Sequence, residues 1–378
     1  MSRVNCVVSC DPPRSFRVNQ VAGMFDLNID KATHAAFDVE VPDIAEDWRI
    51  GAIVGPSGSG KSTVARKAFG KHMHSAADWP AGKAVVDSFA ESHGIKDIVA
   101  TLTAVGFSSP PAWIKPYEVL SNGEKFRCDL ARALLDHRDI VAFDEFTSVV
   151  DRTVARIGSA AVAKAVRRSA GQRFVAVTCH YDVLEWLEPD WVLDMASGQL
   201  ARGCLQRRPP ITLKIHRSHH RHWRLFAKHH YLDASEIPGS TCYVAEWNGV
   251  PVSFVSVRTS FGFTGQRRIS RIVTLPDYQG VGIGIATLNA VADITQRQPG
   301  VTKVSIRTGH PAMLGALSKH PKWRCSVFMK GESARHTSAS CRATSSTGRA
   351  VATFVYRPDA IAARTTSSGT ENMASCPK

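Results

Sequence analysis

The fold is decided by one stretch, Ile50-Gly51-Ala52-Ile53-Val54-Gly55-Pro56-Ser57-Gly58-Ser59-Gly60-Lys61-Ser62-Thr63. Its apolar start predicts a buried strand, and the residues from Ala65 onward predict a helix. The loop between them matches G-x-x-x-x-G-K-[ST], in the strand and helix context that this pattern requires. Such a loop binds phosphates through its backbone N–H groups and the positive end of the helix. The predicted phosphate contacts are Gly55, Ser57, Gly58, Gly60, Lys61, Ser62 and Thr63.

Two adjacent carboxylates follow a second apolar run, within Asp139–Phe146. In sites built on a phosphate loop, such an acidic residue holds Mg²⁺ together with the loop hydroxyl. We therefore predict a magnesium site at Ser62 and Asp144, in which the Ser62 hydroxyl binds the ion and Asp144 holds it through water. Adjacent residues of a strand point in opposite directions, so we expect Glu145 to face the attacking water and to orient and deprotonate it.

A third motif, Leu120-Ser121-Asn122-Gly123-Glu124, lies between the loop and the acidic run and precedes a predicted helix over Phe126–Leu135. With these motifs in this order the chain resembles the ABC ATPase family, whose signature is L-S-G-G-Q or L-S-x-G-E. The resemblance covers roughly residues 20 to 200. It implies ATP and Mg²⁺ as ligands and a head-to-tail homodimer that forms with ATP. In that dimer Ser121 and Gly123 would contact the nucleotide bound by the other subunit.

Two further family positions have matches. The resemblance implies that His180, after the apolar run Phe174–Cys179, is the switch histidine and that Asp151 is a dimer contact. The family also has a glutamine between the phosphate loop and the signature, which couples to a membrane partner, and this chain has none there. That absence favours a soluble ATPase. Asp87 is either its replacement or a surface residue, and Phe25 is either the adenine-stacking residue or core.

The whole chain excludes several classes of protein. Its 378 residues suffice for two ordinary domains. It has no apolar run near the ~20 residues that span a bilayer and no secretion pattern at its start. The nine cysteines are scattered, which is typical of reduced thiols rather than disulfides or a zinc site. We expect a cytoplasmic protein with no membrane partner.

Charge is distributed unevenly. Residues 1–200 hold 22 Lys and Arg against 25 Asp and Glu, a net of −3, whereas residues 201–378 hold 25 against 8, a net of +17. This asymmetry predicts an acidic partner for the second half, most commonly nucleic acid, through residues 204–378. The densest basic run is 206–230, with a predicted strand over Ile211–Ile215 and a predicted helix over His216–Tyr231. Its Trp223 and Phe226 belong either to a nucleic-acid groove or to the core.

A second glycine-rich loop lies further along the chain. Two strands joined at Asn248-Gly249 precede it, a strand over Ile269–Thr274 enters it, and a helix begins at Ile285. The loop resembles the Q/R-x-x-G-x-G/A loop of the GNAT acyltransferase superfamily. The resemblance to that superfamily covers about residues 211–357. The alternatives are a dinucleotide-type loop and a structural turn. The resemblance implies acetyl-CoA or another acyl-CoA as ligand. The implied CoA-binding residues are Gln279, Gly280, Gly282 and Gly284 in the loop and Ile272, Val273 and Thr274 in the strand.

Catalytic residues are harder to place in this second region. Many GNAT enzymes use a Glu near the start of the central strand and a Tyr in the last helix, and neither is present in Arg268–Arg271 or His310–Leu317. His310 is the first candidate base, and the pair His230-Tyr231 is the second. A fusion of these two domain types also resembles a prokaryotic and phage family whose acyltransferase half is similar to Mom-type DNA-modifying enzymes.

The expected fold class is α/β and α+β, with a P-loop ABC-type ATPase domain followed by a GNAT-like mixed-sheet domain. The expected bounds are 1–203 for the ATPase, 204–210 for a basic linker, 211–357 for the acyltransferase and 358–378 for a flexible tail. The expected function is an ATPase coupled to acyl transfer onto nucleic acid. The alternatives are an ATP-regulated N-acetyltransferase of a protein or small molecule, and an ATP-dependent nucleic-acid clamp with an inactive GNAT fold.

Overall fold

The computed structural model describes residues 2–10, 13–25, 33–74, 78–137, 139–203, 208–230, 235, 238–260, 262–329 and 350–358. The chain divides into two compact units. The first comprises Met1–Pro80, Phe89–His93 and Ser121–Pro209, and the second comprises Ala81–Ser88, Gly94–Leu120 and Pro210–Lys378. Residues 94–120 therefore belong to the second unit although they lie inside the span 1–203. The domain bounds given above stay a prediction.

The strands are β1 (Ser2–Cys10), β2 (Thr33–Val41), β3 (Ile50–Val54), β4 (Met73–His74), β5 (Ile140–Phe143), β6 (Arg173–Thr178), β7 (Trp191–Asp194), β8 (Gln199–Arg202), β9 (Lys214–Ser218), β10 (Thr241–Trp247), β11 (Val250–Thr259), β12 (Gln266–Thr274), β13 (Lys303–Thr308), β14 (Trp323–Met329) and β15 (Val351–Tyr356).

The α-helices are α1 (Phe16–Met24), α2 (Lys61–Phe69), α3 (Ile95–Ala104), α4 (Pro110–Trp113), α5 (Asn122–Asp136), α6 (Arg152–Arg168), α7 (Leu184–Leu187), α8 (Trp223–Phe226), α9 (Ile283–Gln296) and α10 (Pro311–Ser318). Within the described residues, none of the helices has both the length and the apolar character that crossing a bilayer requires.

The first unit is built on a six-stranded sheet with the order β4-β5-β6-β3-β7-β8. Strand β3 is parallel to β6 on one side and to β7 on the other, and all five of its residues are buried. A strand buried on both faces is apolar throughout, which confirms the predicted strand Ile50–Val54. The antiparallel pair β1-β2 packs on the same core. Helix α2 starts at Lys61, four residues earlier than expected, directly after Gly60.

The second unit contains a seven-stranded mixed sheet with the order β14-β15-β13-β12-β11-β10-β9. The pair β12-β13 is parallel, and the other pairs are antiparallel. Helices α9 and α10 cover one face, where Leu288 and Leu317 join the core around Ile269. Asn248 and Gly249 both have positive φ, at 51° and 78°, as a two-residue turn between antiparallel strands requires. This mixed α/β architecture confirms the expected fold class.

The basic run differs from its predicted structure. Residues 214–218 form β9, which pairs with β10, so the helix predicted over His216–Tyr231 is wrong at its start. Among the described residues of that span, only α8 and the single 3₁₀ turns on either side of it are helical. The predicted strand Ile211–Ile215 begins three residues late, after Pro209 and Pro210. The turns then bury Trp223 and Phe226 against Phe254, so these two aromatics belong to the core rather than to an open groove.

Three other expectations have mixed outcomes. Phe25 is 70% exposed, so its interpretation as core is wrong. The expected linker lies outside the described residues over 204–207, and the expected tail lies outside them from residue 359 onward.

Candidate functional site

The phosphate loop joins β3 to α2. Gly55, Gly58 and Gly60 all have positive φ, at 150°, 78° and 84°, a backbone conformation that glycine adopts without steric cost. Gly60 occupies the N-cap position of α2 and offers no side-chain cap. The N–H groups of the first helical turn, which have no partner within a helix, therefore point into the loop and form an anion site.

The loop side chains are held close to this backbone. The Nζ atom of Lys61 donates to the carbonyl of Pro56 at 2.7 Å, so the lysine spans the loop. The Ser59 hydroxyl is buried and has no hydrogen-bond partner among the described residues. A side chain at Gly55 would lie 2.8 Å from that hydroxyl. Sequence reasoning passed over Ser59, because it occupies a variable position of the motif.

The predicted magnesium pair is in direct contact. The Ser62 hydroxyl donates to Oδ1 of Asp144 at 2.8 Å, which joins the start of α2 to the residue after β5. Hydroxyl and carboxylate oxygens are ligands that suit Mg²⁺, directly or through its bound water, so this pair fits the predicted ion. The Arg66 guanidinium lies 3.6 Å from the other carboxylate oxygen.

The acidic segment turns where a strand was expected. Strand β5 ends at Phe143, so Asp144 and Glu145 lie in a turn, and the expectation based on alternating strand residues is wrong. Glu145 has a φ of 51° because the chain bends there, and the Phe146 N–H then bonds the Val177 carbonyl at 2.8 Å. The Ser148 hydroxyl donates to Oε2 of Glu145 at 2.6 Å, which fixes the direction of the carboxylate.

His180, the predicted switch histidine, contacts the same turn. Thr147 has a φ of 69°, which is rare for a β-branched residue, and its hydroxyl lies 3.1 Å from Nδ1 of His180. Burial, followed by the charge of Arg152, lowers the pKa of His180 below its ordinary value, while Asp182 and Glu145 act in the opposite direction. His180 is therefore neutral at pH 7. Hydrogen bonds therefore connect the end of β6 to the turn after β5.

The signature and dimer residues cap helices. Ser121 forms a capping box with Glu124 at the start of α5, and the carbonyl of Gly123 accepts from the buried Arg127 at 3.2 Å. Asp151 caps α6 through the N–H groups of Thr153 and Val154. These contacts are local, and Ser121 and Asp151 are exposed. Their roles across a dimer stay predictions, as does the role of Asp87, which is exposed on a 3₁₀ turn.

The second candidate site lies where β12 and β13 separate. The two strands pair from Gln266↔Lys303 to Ile269↔Ile306 and no further, and a bulge in β12 at Ser270 lies next to the last pair. The edge of residues 270–274 that faces β13 is therefore unpaired in the described structure. Ile272, Val273 and Thr274 lie on this open edge, as a strand that hydrogen-bonds an extended ligand requires.

The glycine-rich loop follows β12. Gly280 and Gly282 have positive φ, at 92° and 98°, and Gly282 is the N-cap of the 14-residue helix α9 without a side-chain cap. A side chain at Gly284 would lie 2.9 Å from Oγ1 of Thr274, so the helix packs closely on the strand. The geometry repeats the anion site of the first loop.

Gln279 and His310 share one partner, the peptide group of Ser108. Oε1 of Gln279 accepts from the Ser108 N–H at 2.8 Å, and its Nε2 donates to the Thr274 carbonyl at 2.9 Å. Nε2 of His310 lies 3.1 Å from the Ser108 carbonyl. A carbonyl only accepts, so Nε2 carries the proton. Burial lowers the pKa of His310, which leaves Nδ1 as the basic nitrogen.

His310 follows β13 by two residues, at the same end of the sheet as the open edge of β12, because the two strands are parallel. The other candidate pair is only partly described. His230 packs against Trp223 with ring centroids 5.6 Å apart, whereas Tyr231 lies outside the described residues. His310 is therefore the better placed candidate base.

Comparisons with known proteins give one family match. Residues 206–317 match the acetyltransferase (GNAT) family, so the C-terminal region contains a GNAT acetyltransferase domain. A comparison with curated proteins gives no match.

Solved structures resemble each part of the chain. A dimeric ATP-binding cassette in a post-hydrolysis state, bound to ADP and Pi, is 14% identical with a TM-score of 0.37, over 46% of this chain and 92% of its own. The IAA acetyltransferase from Bacillus cereus ATCC 14579 is 16% identical with a TM-score of 0.30, over 38% and 99%. The ribosomal-protein-S18-alanine N-acetyltransferase from Escherichia coli is 12% identical with a TM-score of 0.29, over 38% and 93%. These likenesses concern the fold alone.

Proposed function

We propose that this chain hydrolyses ATP and uses that cycle to control a CoA-dependent acyl transfer onto nucleic acid. The observation that carries the ATPase half is the 2.8 Å contact between Ser62 and Asp144 beside a loop of positive-φ glycines. The observation that carries the transferase half is the open edge of β12, which leads into a second such loop within a region that matches GNAT enzymes.

In the ATP site the loop amides and Lys61 bind the phosphates. Ser62 and Asp144 hold Mg²⁺, which when bound neutralises charge on the outer phosphates. Glu145 accepts the proton of the attacking water, with its carboxylate directed by Ser148. His180, neutral and fixed by Thr147, orients the transferred phosphate. Ser121, Gly123 and Asp151 act across a head-to-tail homodimer that closes on ATP.

In the acyl site the amides around Gly282 and Gly284 bind the pyrophosphate of CoA, and the β12 edge binds the pantetheine arm. An amine of the acceptor attacks the thioester carbonyl. A C–N bond forms and the C–S bond breaks. The amine proton passes to Nδ1 of His310 and from there to the departing sulfur, so CoA leaves as the thiol and His310 is neutral again. The net charge of +17 over residues 201–378 favours a polyanionic acceptor over a small molecule.

A nucleic-acid clamp with an inactive acyl fold is the second candidate. It is favoured by the absence of any carboxylate in β12 and of any tyrosine in α10. In that case ATP would close the dimer on nucleic acid and hydrolysis would release it, with no chemistry on the base.

The test incubates the full-length protein with Mg-ATP, labelled acetyl-CoA, and DNA or RNA, and follows label into digested nucleosides by mass spectrometry. We expect ATP-dependent label on a nucleoside, lost in Gly282→Glu. No label on either polymer, together with retained salt-sensitive binding, would refute acyl transfer to nucleic acid and leave the clamp. Label on the protein itself, or on a small amine only, would instead support an N-acetyltransferase of another class.

A further inference from the structure

Four arginines lie on one face of the seven-stranded sheet, on β11, β12, β13 and β14, with β15 between the last two strands. Arg258 of β11 and Arg268 of β12 are direct cross-strand partners. Arg268 is opposite Ser305 of β13, two residues before Arg307 on the same face. Val355 of β15 then links Ser305 to Arg324 of β14. At ~4.8 Å between strands, this row is about 19 Å long.

The row lies on the face away from the main helices. Side chains alternate along a strand, and the neighbours Val257, Ile269 and Ile306 face the core formed with α9 and α10. The arginines therefore face the opposite side. Arg258, Arg307 and Arg324 are exposed and Arg268 is half-buried. We name this set of four residues the arginine face.

No acidic side chain of the described structure compensates the arginine face. The second unit has three described carboxylates besides those of residues 81–120. Glu246 lies 3.6 Å from His216, Asp293 lies 3.2 Å from Lys322, and Asp277 belongs to the turn Pro276–Tyr278. None of the four arginines forms an ion pair with a described residue.

The four positive charges oppose one another. Burial, followed by the neighbouring charges of Arg258 and Arg307, lowers the pKa of Arg268. Like charges directly opposite on neighbouring strands destabilise a sheet. A polyanion that lies across the row removes this repulsion, and arginine binds phosphate through two parallel hydrogen bonds.

The arginine face also borders the open edge of β12. Arg268 precedes the last β12 pair with β13, and Arg307 follows it. The separation of the strands therefore starts between two members of the row. A phosphate backbone on the arginine face would therefore lie next to the fork between β12 and β13, where the proposed function places the acyl group.

We propose that the arginine face binds the phosphate backbone of the nucleic acid and places a base at the fork between β12 and β13. This inference rests on the proposed function, since it names the acceptor site of that reaction. It moves the nucleic-acid site away from the basic run over 206–230, whose strand β9 is at the opposite edge of the sheet. At 3.4 Å per phosphate of one strand, a 19 Å row spans about five phosphates.

The test compares two double variants of the full-length protein that lose the same charge. Arg307→Gln with Arg324→Gln changes the arginine face, and Arg217→Gln with Arg224→Gln changes exposed positions of the basic run. Affinity for labelled single- and double-stranded DNA and RNA is measured from 50 to 200 mM salt. Losing two phosphate contacts lowers the slope of log K against log salt by about 1.8 for duplex DNA. We expect that change, with roughly tenfold weaker binding, in the first variant only.

The reverse pattern, with the larger loss in the basic-run variant, would overturn the proposal, as would equal losses in both. Loss of binding to polyglutamate without loss of binding to oligonucleotides would assign the face to an acidic protein and also overturn it. ATPase rate and acetyl-CoA affinity serve as controls for folding and are expected to stay unchanged. If wild type transfers no label but the first variant loses the salt slope, the arginine face stands and the transferase function fails. If label transfer to nucleic acid is the same in the first variant as in wild type, the transferase function stands and the arginine face is not its acceptor site.

Discussion

A methyl group added to Gly51 tests the packing that positions the phosphate loop. Gly51 lies in the middle of β3, opposite Trp191 of β7. A Cβ atom built there lies 2.1 Å from Cζ2 and 2.2 Å from Cε2 of the Trp191 ring, whereas ordinary contacts are 3.4–4 Å. The Gly51→Ala variant therefore requires a movement of about 1.3 Å.

The ring has no free space to move into. Trp191 is 1% exposed, and it packs edge-on to Trp48 at 5.6 Å and stacks on Phe69 at 6.3 Å. Overpacking of this kind costs ~1–3 kcal/mol. At roughly 2–4 °C per kcal/mol for a unit of this size, we expect Gly51→Ala to lower the apparent Tm by about 2–12 °C. Because β3 leads into the loop, weaker ATP binding should accompany the loss.

The assay is thermal unfolding followed by calorimetry, with and without Mg-ATP. The matched control is Gly70→Ala, because Gly70 has no neighbour within 4 Å of an added Cβ and no positive φ. The double variant Gly51→Ala with Trp191→Leu makes room for the methyl, so the two changes should couple favourably by at least ~1 kcal/mol. The reasoning would be refuted if Gly51→Ala had the same apparent Tm as wild type, or if the double-mutant cycle showed no coupling free energy between the two changes.

Three further predictions follow from the sites. Glu145→Gln should lower ATP hydrolysis ~10²–10⁴-fold and leave an ATP-bound dimer on size exclusion; a variant that stays monomeric with ATP contradicts the clamp. Gly282→Glu should abolish CoA binding in a calorimetric titration. Gly282→Gln has the same backbone strain at φ 98° but no charge, and it should retain most of the CoA affinity. Equal losses of affinity in the two variants would mean that backbone strain alone causes the loss. The pKa of His180 is lowered by burial and then by Arg152, so the neutral imidazole persists as pH falls through 6.5 and is lost only below that pH. We expect the ATPase rate to fall with an inflection below pH 6.5, and the His180→Gln variant to lack this inflection. An inflection at or above pH 6.5 would contradict the assignment.

The sequence predicted those parts of the fold that depend on local chemistry. The apolar run of β3, the phosphate loop and the turn at Asn248-Gly249 each need particular residues at fixed spacing, and each is present as expected. The helix predicted over His216–Tyr231 was wrong because pairing with β10 outweighed its local pattern. The turn at Glu145 and Thr147 was also missed. Its positive φ angles depend on a hydrogen bond to the end of β6, 31 residues beyond Phe146, which no local pattern contains.

Long-range contacts were the least predictable features. Ser108 and His310 are 202 positions apart, and no motif links them. The arginine face likewise needs the strand order and register, because its four members come from four strands that are not consecutive in the sheet. Net charge over residues 201–378 predicted an acidic partner but not the surface that receives it.

The peptide group of Ser108 contacts two candidate functional side chains at once. It holds Gln279, the first residue of the glycine-rich loop after β12, and Nε2 of His310 at the same time. Under the proposed function, a displacement of residues 94–120 would change the affinity for CoA and the proton affinity of His310 together. The same segment ends at Leu120, next to the signature Ser121. Linkage is reciprocal, so under the proposed function a CoA thioester that alters this contact would change, by the same factor, the affinity of any ligand that displaces residues 94–120.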